Sequence, residues 1–297
     1  MKIVSIDIGG TNTKYGVFDF SDEMRILTSG YFKTPKKIEI MFDLLSQSLT
    51  GYNFSMVAVG VPGVYNKVLD KIVYAPNLHL LEHINIKQNF EDYFNCEVII
   101  ENDGNMATFG EYFFIEKEKI KNFVMITLGT GVGGGVIYNG DILGGNTTIT
   151  ELGHITINFN GRKCGCGKTG CFEAYCGMKG INETYMEVSG VTNSKVDEIF
   201  KRCQSKDSLA KISIELFSYH LASGLSSIAN IFSPEKIKIG GGVSFYQNCF
   251  FKKTVKYFSK MIFPAFKNSV TLEISELKNN AGLYGGAAFC IKKLSNH

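Results

Sequence analysis

One histidine and three cysteines lie close together near the middle of the chain. His154, Cys164, Cys166 and Cys171 follow the spacing His-x9-Cys-x-Cys-x4-Cys. Three thiolates and one imidazole form the ligand set that tetrahedral Zn²⁺ prefers. Four protein ligands leave no coordination position for water or substrate, so a metal bound here is expected to be structural. The alternative is a set of free thiols in a loop.

Two glutamates flank this cluster. Glu151 lies three residues before His154, and Glu173 lies two residues after Cys171. If one imidazole nitrogen binds a metal, the other carries a proton and needs an acceptor. A hydroxyl group of a bound ligand could be that acceptor, which would place a ligand site beside the metal.

An acidic residue precedes a glycine turn near the N-terminus. Asp7 stands at the end of an alternating apolar segment and is followed by Gly9, Gly10 and Thr11. The backbone N–H groups of such a turn can bind phosphate oxygens, and the acid can hold a hydrated Mg²⁺. Tight hairpins also need glycine for their geometry alone, so this signal is weak by itself.

A second glycine turn, in 127-TLGTGVGGG-135, offers the same kind of surface. Here Thr130 adds a hydroxyl group beside Gly131. Neither turn matches the Walker A pattern, since no Gly-Lys-Ser/Thr follows. Two such turns would suit a nucleotide bound between facing lobes.

Another acidic residue, Asp103, directly follows a second apolar segment. Residues 98–100 predict a buried strand that ends at Glu101-Asn102-Asp103, and a helix is expected to begin within the next few residues. Asp103 could be an N-cap, which is the commoner use of Asp at such a junction. As a general base it would instead accept a hydroxyl proton while that oxygen attacks a phosphorus atom.

The elements that must position these residues repeat along the chain. Residues 1–20 read as strand, glycine turn and strand, and residues 123–140 read the same way. Two halves that each begin with a glycine hairpin predict a duplicated α/β fold with a cleft between two lobes. The alternative is a chance similarity of two hairpins.

Three further segments have clear patterns. The sequence 237-IKIGGGVS-244 predicts a strand, a glycine turn and the approach to a helix. Residues 207–232 predict a helix with a core-facing apolar stripe, because the large apolar residues recur at intervals of three and four. This stripe consists of Ile214, Phe217, Leu221, Leu225, Ile228 and Phe232. Residues 281–294 predict a helix rich in small residues that can pack closely on a neighbour.

The composition excludes several classes of protein. The chain has 297 residues, enough for one large or two modest domains, and its net charge of +3 is not concentrated in a basic block. Charge therefore implies neither a nucleic acid nor a membrane surface as partner. No apolar stretch approaches the ~20 residues that span a bilayer, and the N-terminus lacks signal-peptide order. The expected location is the cytoplasm, where the eight cysteines would stay reduced.

Taken together, these motifs resemble the ROK family of bacterial sugar kinases and related repressors. They occur in family order over essentially the whole chain: Asp-Ile-Gly-Gly-Thr at 7–11, Glu-Asn-Asp at 101–103, Leu-Gly-Thr-Gly-Val-Gly-Gly-Gly at 128–135, Glu-Leu-Gly-His at 151–154, Cys-Gly-Cys-Gly-Lys-Thr-Gly-Cys-Phe-Glu at 164–173 and Gly-Gly-Gly-Val at 240–243. The combination is highly specific, although each element alone is not.

The resemblance implies a duplicated actin/hexokinase-like (ribonuclease H-like) α/β fold with ATP and sugar in the cleft between two lobes. It implies a smaller N-terminal lobe over 1–118, completed by a C-terminal helix over 281–297, and a larger lobe over 119–280 with the zinc site. It also implies Mg²⁺, a structural Zn²⁺ and a homodimer.

Site residues follow from the same resemblance. The catalytic base falls at Asp103. Nucleotide-binding positions are Asp7, Gly9, Gly10, Thr11, Thr130, Gly131, Gly241 and Gly242. Sugar-contacting positions are Asn77, Asn102, Asp103, Glu151, His154 and Glu173.

Two departures from the family bear on the sugar. Family kinases carry Ala-Gly-Glu where this chain has Ile149-Thr150-Glu151, which would bring the Thr150 side chain near the sugar. After Asn77-Leu78 the chain reads His79-Leu80-Leu81 instead of Pro-Gly-Trp. The animal N-acetylmannosamine kinase domain also lacks that glycine, so we expect a kinase acting on the C6 hydroxyl group of a hexose or N-acetylhexosamine, with N-acetylmannosamine as the leading candidate.

Glucose is the alternative sugar, and a sugar-responsive repressor of the same family is the alternative class. Repressors of the family add an N-terminal helix-turn-helix, for which a first strand beginning at Lys2 leaves no room. The expected partner is therefore a small-molecule sugar rather than nucleic acid or a membrane.

Overall fold

The computed structural model describes residues 1–21, 24–75, 78, 81, 84–117, 119–147 and 150–295. The chain divides into two compact units. The first consists of Met1–Lys119, Gly135–Thr150 and Asn280–His297, and the second of Ile120–Gly134 and Glu151–Asn279.

Strands and helices alternate along much of the chain. The strands are β1 (Lys2–Ile8), β2 (Asn12–Asp19), β3 (Arg25–Lys33), β4 (Met56–Val61), β5 (Val64–Asn66), β6 (Lys71–Tyr74), β7 (Glu97–Asn102), β8 (Phe123–Leu128), β9 (Val132–Tyr138), β10 (Asp141–Ile142), β11 (Lys236–Gly240) and β12 (Thr271–Ile274). The α-helices are α1 (Ile38–Leu49), α2 (Ile86–Phe94), α3 (Asp103–Glu111), α4 (Glu173–Cys176), α5 (Met178–Ser189), α6 (Val196–Gln204), α7 (Ser208–Phe232), α8 (Gln247–Met261) and α9 (Ala281–Ser295). Within the part of the chain that the structure describes, none of the helices is long and apolar enough to cross a bilayer.

Each of the two large sheets has five strands. The first has the order β3-β2-β1-β4-β7, and the second has the order β10-β9-β8-β11-β12. If the strands of each sheet are numbered from one to five in chain order, both sheets have the order 3-2-1-4-5. In both sheets the first, fourth and fifth strands are parallel. This shared topology confirms the duplicated α/β fold predicted from the glycine hairpins.

The first unit has its core on both faces of its sheet. Val4, Ile6 and Ile8 of β1 pack in one cluster with apolar residues of α1 and α2. Ile3 and Phe18 pack in a second cluster with residues of α3 and α9. The alternation predicted for β1 thus distributes its side chains between two layers of helices.

Helix α9 lies against α3 at unusually short range. A Cβ atom on Gly110 would overlap the Ala281 carbonyl oxygen, and one on Gly285 would overlap the backbone of Met106. The prediction of a small-residue helix that packs closely on a neighbour is confirmed. Glycine is required at both positions because only a bare backbone allows this approach.

Helix α7 has the core stripe predicted for residues 207–232. Its side chains Ile214, Phe217 and Leu221 are fully buried, as are Leu225 and Ile228, whereas Phe232 at the end of the helix is half-buried. Asp207 caps the N-terminus by accepting a hydrogen bond from Ala210 N at 2.9 Å.

Residues 135–150 belong to the first unit, whereas the lobe boundaries predicted from the sequence placed them in the second lobe. Hydrogen bonds hold this segment to the first unit: Lys67 N donates to the Asn146 carbonyl oxygen at 2.7 Å, and Lys292 of α9 pairs with Asp141. A glycine hairpin in the sequence shows where a repeat begins. It does not show which unit the residues after the turn belong to.

Candidate active site

In the first unit, the predicted acidic residues Asp7 and Asp103 lie at the same edge of the sheet, Asp7 near the end of β1 and Asp103 directly after β7. Strands β1, β4 and β7 are parallel, so their carboxyl ends meet at the same edge. Asp7 is level with Gly60 of β4, and Gly60 is level with Glu101 of β7. The outer two strands are about 10 Å apart. Open α/β sheets bind ligands at this edge.

Asp7 lies in a confined position beside a cation. Lys14 Nζ is 3.5 Å from Asp7 Oδ2, and a Cβ atom on Gly282 would be 2.9 Å from the same oxygen. Burial raises the pKa of Asp7 above its ordinary value, and the Lys14 ammonium opposes this shift. Sequence reasoning missed Lys14, although positions 7 and 14 face each other in a hairpin centred on residues 10 and 11.

The turn after Asp7 is fixed by hydrogen bonds to its own backbone. Gly9 N donates to the Asn12 carbonyl oxygen at 3.0 Å, and the Thr34 hydroxyl donates to the Gly9 carbonyl oxygen at 2.6 Å. Gly10 and Thr11 at the tip are exposed. The turn therefore presents a rigid, exposed backbone at the same sheet edge as the acid.

The N-cap role that the sequence allows for Asp103 belongs to its neighbour Asn102. Asn102 is the N-cap of α3, because its side-chain oxygen accepts a hydrogen bond from Asn105 N at 3.0 Å. Asp103 is instead the first residue of α3 and is half-buried, with Oδ1 accepting from Gly104 N at 2.8 Å. The interpretation of Asp103 as the N-cap is therefore wrong. Its carboxylate stands at a helix N-terminus, where the helix dipole stabilises negative charge.

Four residues that were not predicted as site residues are linked by hydrogen bonds near the start of α3. Glu101 is buried, and its carboxylate accepts hydrogen bonds from Lys67 Nζ at 2.7 Å and from Asn105 Nδ2 at 3.0 Å. Asn105 Oδ1 accepts in turn from the Thr150 hydroxyl at 3.2 Å. A lysine 34 residues before its partner leaves no local signal in the sequence.

In the second unit, the four predicted metal ligands lie together. Their ligand atoms are all within 4.8 Å of one another. Cys164 Sγ is 3.7 Å from His154 Nδ1, and Cys166 Sγ is 3.7 Å from Cys171 Sγ. In a tetrahedral zinc site with Zn–S bonds of about 2.3 Å, adjacent sulfurs are about 3.8 Å apart. The donor set and its spacing therefore fit a zinc ion.

The loop between these ligands depends on two glycines. Gly167 and Gly170 have φ of 88° and 77°, in the left-handed region that other residues rarely adopt. A Cβ atom on Gly170 would also overlap the Asn158 carbonyl oxygen. These conformations bring the sulfur ligands onto one side of the loop.

Glu151, His154 and Glu173 form a second group in this unit. Although Glu151 as a whole is exposed, desolvation of its carboxyl group raises its pKa, with His154 lowering it and Glu173 raising it. Glu173 begins α4, and its Oε2 accepts a hydrogen bond from Val132 N at 3.0 Å. Because His154 turns Nδ1 toward Cys164, a ligand would meet the Nε2 side of the ring.

The glycine turns of the second unit meet at the carboxyl ends of β8 and β11, which are parallel neighbours. Gly241 has φ of 78°, and a Cβ atom there would overlap the Leu128 carbonyl oxygen. Gly131 approaches the Glu173 carboxylate so closely that a Cβ atom would overlap it. Thr130 at the tip is exposed.

The structure thus places the predicted residues in two groups, one in each unit. Asp7, Gly9, Gly10, Thr11, Asn102 and Asp103 lie in the first unit, and Thr130, Gly131, Glu151, His154, Glu173, Gly241, Gly242 and the three cysteines lie in the second. Asn77 lies outside the described residues. A cleft between the units remains a prediction from the sequence.

Two sheets of one topology, each with glycine turns at the carboxyl ends of its parallel strands, define a duplicated α/β protein of the actin/hexokinase-like fold. The chain belongs to the ROK family, whose model matches residues 3–293. The resemblance noted from the motifs is confirmed.

Relatives in this family include both kinases and repressors. The chain is 31% identical to a glucokinase of Halalkalibacterium halodurans, over 99% of this chain and 96% of the relative. It is 28% identical to an N-acetylmannosamine kinase of Haemophilus influenzae, over 98% and 96%. It is 26% identical to a xylose repressor of Caldicellulosiruptor bescii, over 87% of this chain and 69% of the repressor.

The fold is also that of a solved kinase. A ROK family glucokinase from Streptomyces griseus, in complex with glucose and AMPPNP, superposes with a TM-score of 0.85 at 27% identity. The match covers 97% of this chain and 99% of the glucokinase.

Proposed function

We propose that the protein is an ATP-dependent sugar kinase that phosphorylates the C6 hydroxyl group of a hexose or N-acetylhexosamine. The observation that carries this proposal is the position of Asp103. It is a half-buried carboxylate at the carboxyl end of β7, at the same sheet edge as Asp7 and the glycine turn. The sugar kinases among the relatives supply the substrate class.

In this mechanism Asp103 accepts the proton of the sugar hydroxyl while that oxygen attacks the γ-phosphorus of ATP in line. Asn102 holds the start of α3 through its cap, so the base stands on a rigid strand end. The helix N-terminus favours the ionised carboxylate, which is the form that can accept a proton.

The backbone N–H groups of the two glycine turns would bind the phosphates, with Gly10 and Thr11 in one turn and Thr130 and Gly131 in the other. Gly241 and Gly242 would lie near the adenosine. Asp7 is suited to hold a hydrated Mg²⁺, since this ion prefers carboxylate oxygen and keeps several waters. When bound, Mg²⁺ neutralises charge on the phosphates. Lys14, level with Asp7 on β2, adds a positive charge at the same place.

The four ligands His154, Cys164, Cys166 and Cys171 would hold a zinc ion, which supplies structural cross-linking of the loop. This loop runs between Glu151 and Glu173. With the Nδ1 side of His154 occupied by the metal, its Nε2 side and both glutamates would contact sugar hydroxyl groups. Asn77 and Asn102 are the remaining proposed sugar contacts.

N-acetylmannosamine is the leading substrate, supported by the relative from Haemophilus influenzae and by the missing glycine at position 150, which the animal N-acetylmannosamine kinase domain also lacks. Glucose is the second candidate, favoured by the 31% identity to a glucokinase and by the glucose complex of the Streptomyces griseus enzyme. A sugar-responsive repressor is the remaining alternative. DNA binding in a gel-shift at moderate salt, together with no ATP consumption on any sugar, would support it.

Replacing Asp103 by Asn tests the mechanism. The asparagine oxygen can still accept from Gly104 N, so the fold should be kept, but the amide cannot accept a proton. We expect kcat to fall by about 10²- to 10⁴-fold, with sugar affinity, measured by calorimetry, changed by less than about threefold. Asp92→Asn makes the same chemical change on the exposed face of α2 and is the matched control. A near-wild-type kcat for Asp103→Asn would rule the mechanism out.

A further inference from the structure

Four polar side chains in the first unit form a continuous chain of hydrogen bonds, called here the polar chain: Lys67, Glu101, Asn105 and Thr150. Lys67 donates to one oxygen of Glu101 at 2.7 Å, and the Asn105 amide nitrogen donates to the other at 3.0 Å. The Thr150 hydroxyl then donates to the Asn105 amide oxygen at 3.2 Å. Lys67 and Thr150, at the two ends, do not belong to the proposed catalytic or substrate-binding groups.

Each member of the polar chain has a fixed role as hydrogen-bond donor or acceptor. An ionised carboxylate only accepts hydrogen bonds, so Asn105 must turn its NH₂ group toward Glu101. The Asn105 oxygen therefore faces Thr150, which must donate. Valine has the shape of threonine but no hydroxyl group, so it would leave the Asn105 oxygen without this donor.

Backbone contacts close the polar chain into a ring. Lys67 N donates to the Asn146 carbonyl oxygen at 2.7 Å, and Asn66 forms a β-bridge with Thr147. These contacts join three parts of the unit: the β5–β6 hairpin, residues 101–105, and the segment that contributes Asn146, Thr147 and Thr150.

Asp103 lies in the sequence between two members of the polar chain, Glu101 and Asn105. Asn102 N donates to Glu101 Oε1 at 3.0 Å, the same oxygen that accepts from the Asn105 side chain. Asn102 and Asn105, on either side of Asp103 in the sequence, therefore both donate hydrogen bonds to the Glu101 carboxylate. The Glu101 side chain is 3% exposed and Asn105 is 1% exposed, so water cannot readily replace these bonds.

The geometry points to Lys67 and Thr150 as positioning residues for phosphoryl transfer, acting on Asp103 through Glu101 and Asn105. This inference rests on the proposed function, in which Asp103 is the base. Lys67 supplies the positive charge and the donor that a buried carboxylate needs. Thr150 supplies the last donor and points its hydroxyl group to Asn105, so its effect falls on turnover rather than on sugar binding.

A double-mutant cycle of Lys67→Met and Thr150→Val tests the ring. Among the described side chains, Glu101 and Asn105 link Lys67 to Thr150, so coupling between the two side chains is expected to pass through the polar chain. Because small misplacements of a reacting group are costly, we expect each single variant to lower kcat about tenfold, with KM for sugar and for ATP within about twofold. The double variant should lose about tenfold as well, instead of the roughly hundredfold expected for independent sites.

Control variants distinguish the loss of these hydrogen bonds from the loss of a charge and from a general destabilisation of the fold. Thr150→Ser and Lys67→Arg keep the donors and should retain most of the turnover. Lys87→Met removes another lysine of the same unit, whose partner Glu91 at 4.0 Å is partly exposed, and should leave kcat unchanged. Melting temperatures are measured for every variant, since the ring predicts less-than-additive losses there too.

Three outcomes would overturn the inference. Additive losses of melting temperature would show that no ring connects the two residues. Coupled melting temperatures with an unchanged kcat would deny the positioning role. A higher sugar KM for Thr150→Val at constant kcat would show that Thr150 contacts the sugar directly. Absence of turnover in the wild-type protein would instead count against the proposed function, while the melting temperatures would still test the ring.

Discussion

Asn102 and Asp103 are neighbours in sequence, but their side chains have different roles because helix α3 begins between them. The residue before the first helical turn has extended backbone geometry and turns its side chain back to the helix amides. The next residue is already helical, so its carboxylate is directed away from that position. If the helix began one residue later, Asp103 would become the N-cap, and Asn102 could not replace it as a base.

His220 is a residue whose ionisation should set part of the pH dependence of stability. Its ring lies 4.4 Å from that of Tyr175 in the second unit. Burial lowers the pKa of His220 to about 4, Arg162 adds to this, and Glu187 opposes it. The ordinary value in an unfolded chain is about 6.5. Since the folded form disfavours the proton, stability should fall as the pH drops from about 6.5 toward 4.

We expect the free energy of unfolding to decrease by about 1–2 kcal/mol from this group between pH 7 and pH 5, after allowing for its partial solvent access. His220→Gln cannot gain the proton and should lose that part of the pH dependence. Urea denaturation of both proteins at the two pH values measures the difference. Equal decreases in the two proteins would contradict the assignment.

At the scale of elements, Arg162 holds the middle of the loop over residues 154–171. Arg162 binds α5 through the Gly180 carbonyl oxygen at 2.9 Å and through Glu187 at 2.7 Å. The Arg162 guanidinium also lies over the Tyr175 ring at 4.9 Å. A zinc ion on His154 and the three cysteines, as proposed, would fix the part of the loop that Arg162 does not reach.

Loss of one metal ligand should loosen this loop and lower sugar affinity together. We expect about one zinc per chain in protein purified without added metal, and less zinc in Cys166→Ser. The melting temperature of that variant should fall on the order of 10 °C, because metal binding contributes to folding free energy. Metal analysis, calorimetry and sugar titration check these expectations.

Cys249→Ser is the matched control, since Cys249 lies in the same unit, is similarly half-buried and is outside the cluster. If Cys166→Ser keeps both its melting temperature and its sugar affinity, the structural role of the metal is wrong.

At the scale of the whole molecule, local patterns predicted the elements and the clustering of His154 with three cysteines, but not the polar chain near Asp103. The β-hairpins, the α7 stripe and the Cys-x-Cys-x4-Cys loop are each encoded within about 25 residues, so periodicity and spacing revealed them. Lys67, Glu101 and Thr150 come from three distant segments. Their contacts depend on the order of strands in the sheet, which one sequence does not specify. The same limit applies to residues 135–150 and the unit they join.

The identity of the sugar is tested on the whole molecule, because ligand binding stabilises the folded chain as a unit. A ligand that binds only the folded protein at a hundred times its Kd adds about 2.7 kcal/mol to stability, which corresponds to a rise in melting temperature of roughly 5–10 °C. We expect N-acetylmannosamine to give the largest rise among N-acetylmannosamine, N-acetylglucosamine, glucose and fructose, and also the highest kcat/KM in a coupled ADP-release assay. Mannitol, an open-chain polyol of similar size, is the control and should give no rise. A larger rise and faster turnover with glucose would assign the glucokinase alternative.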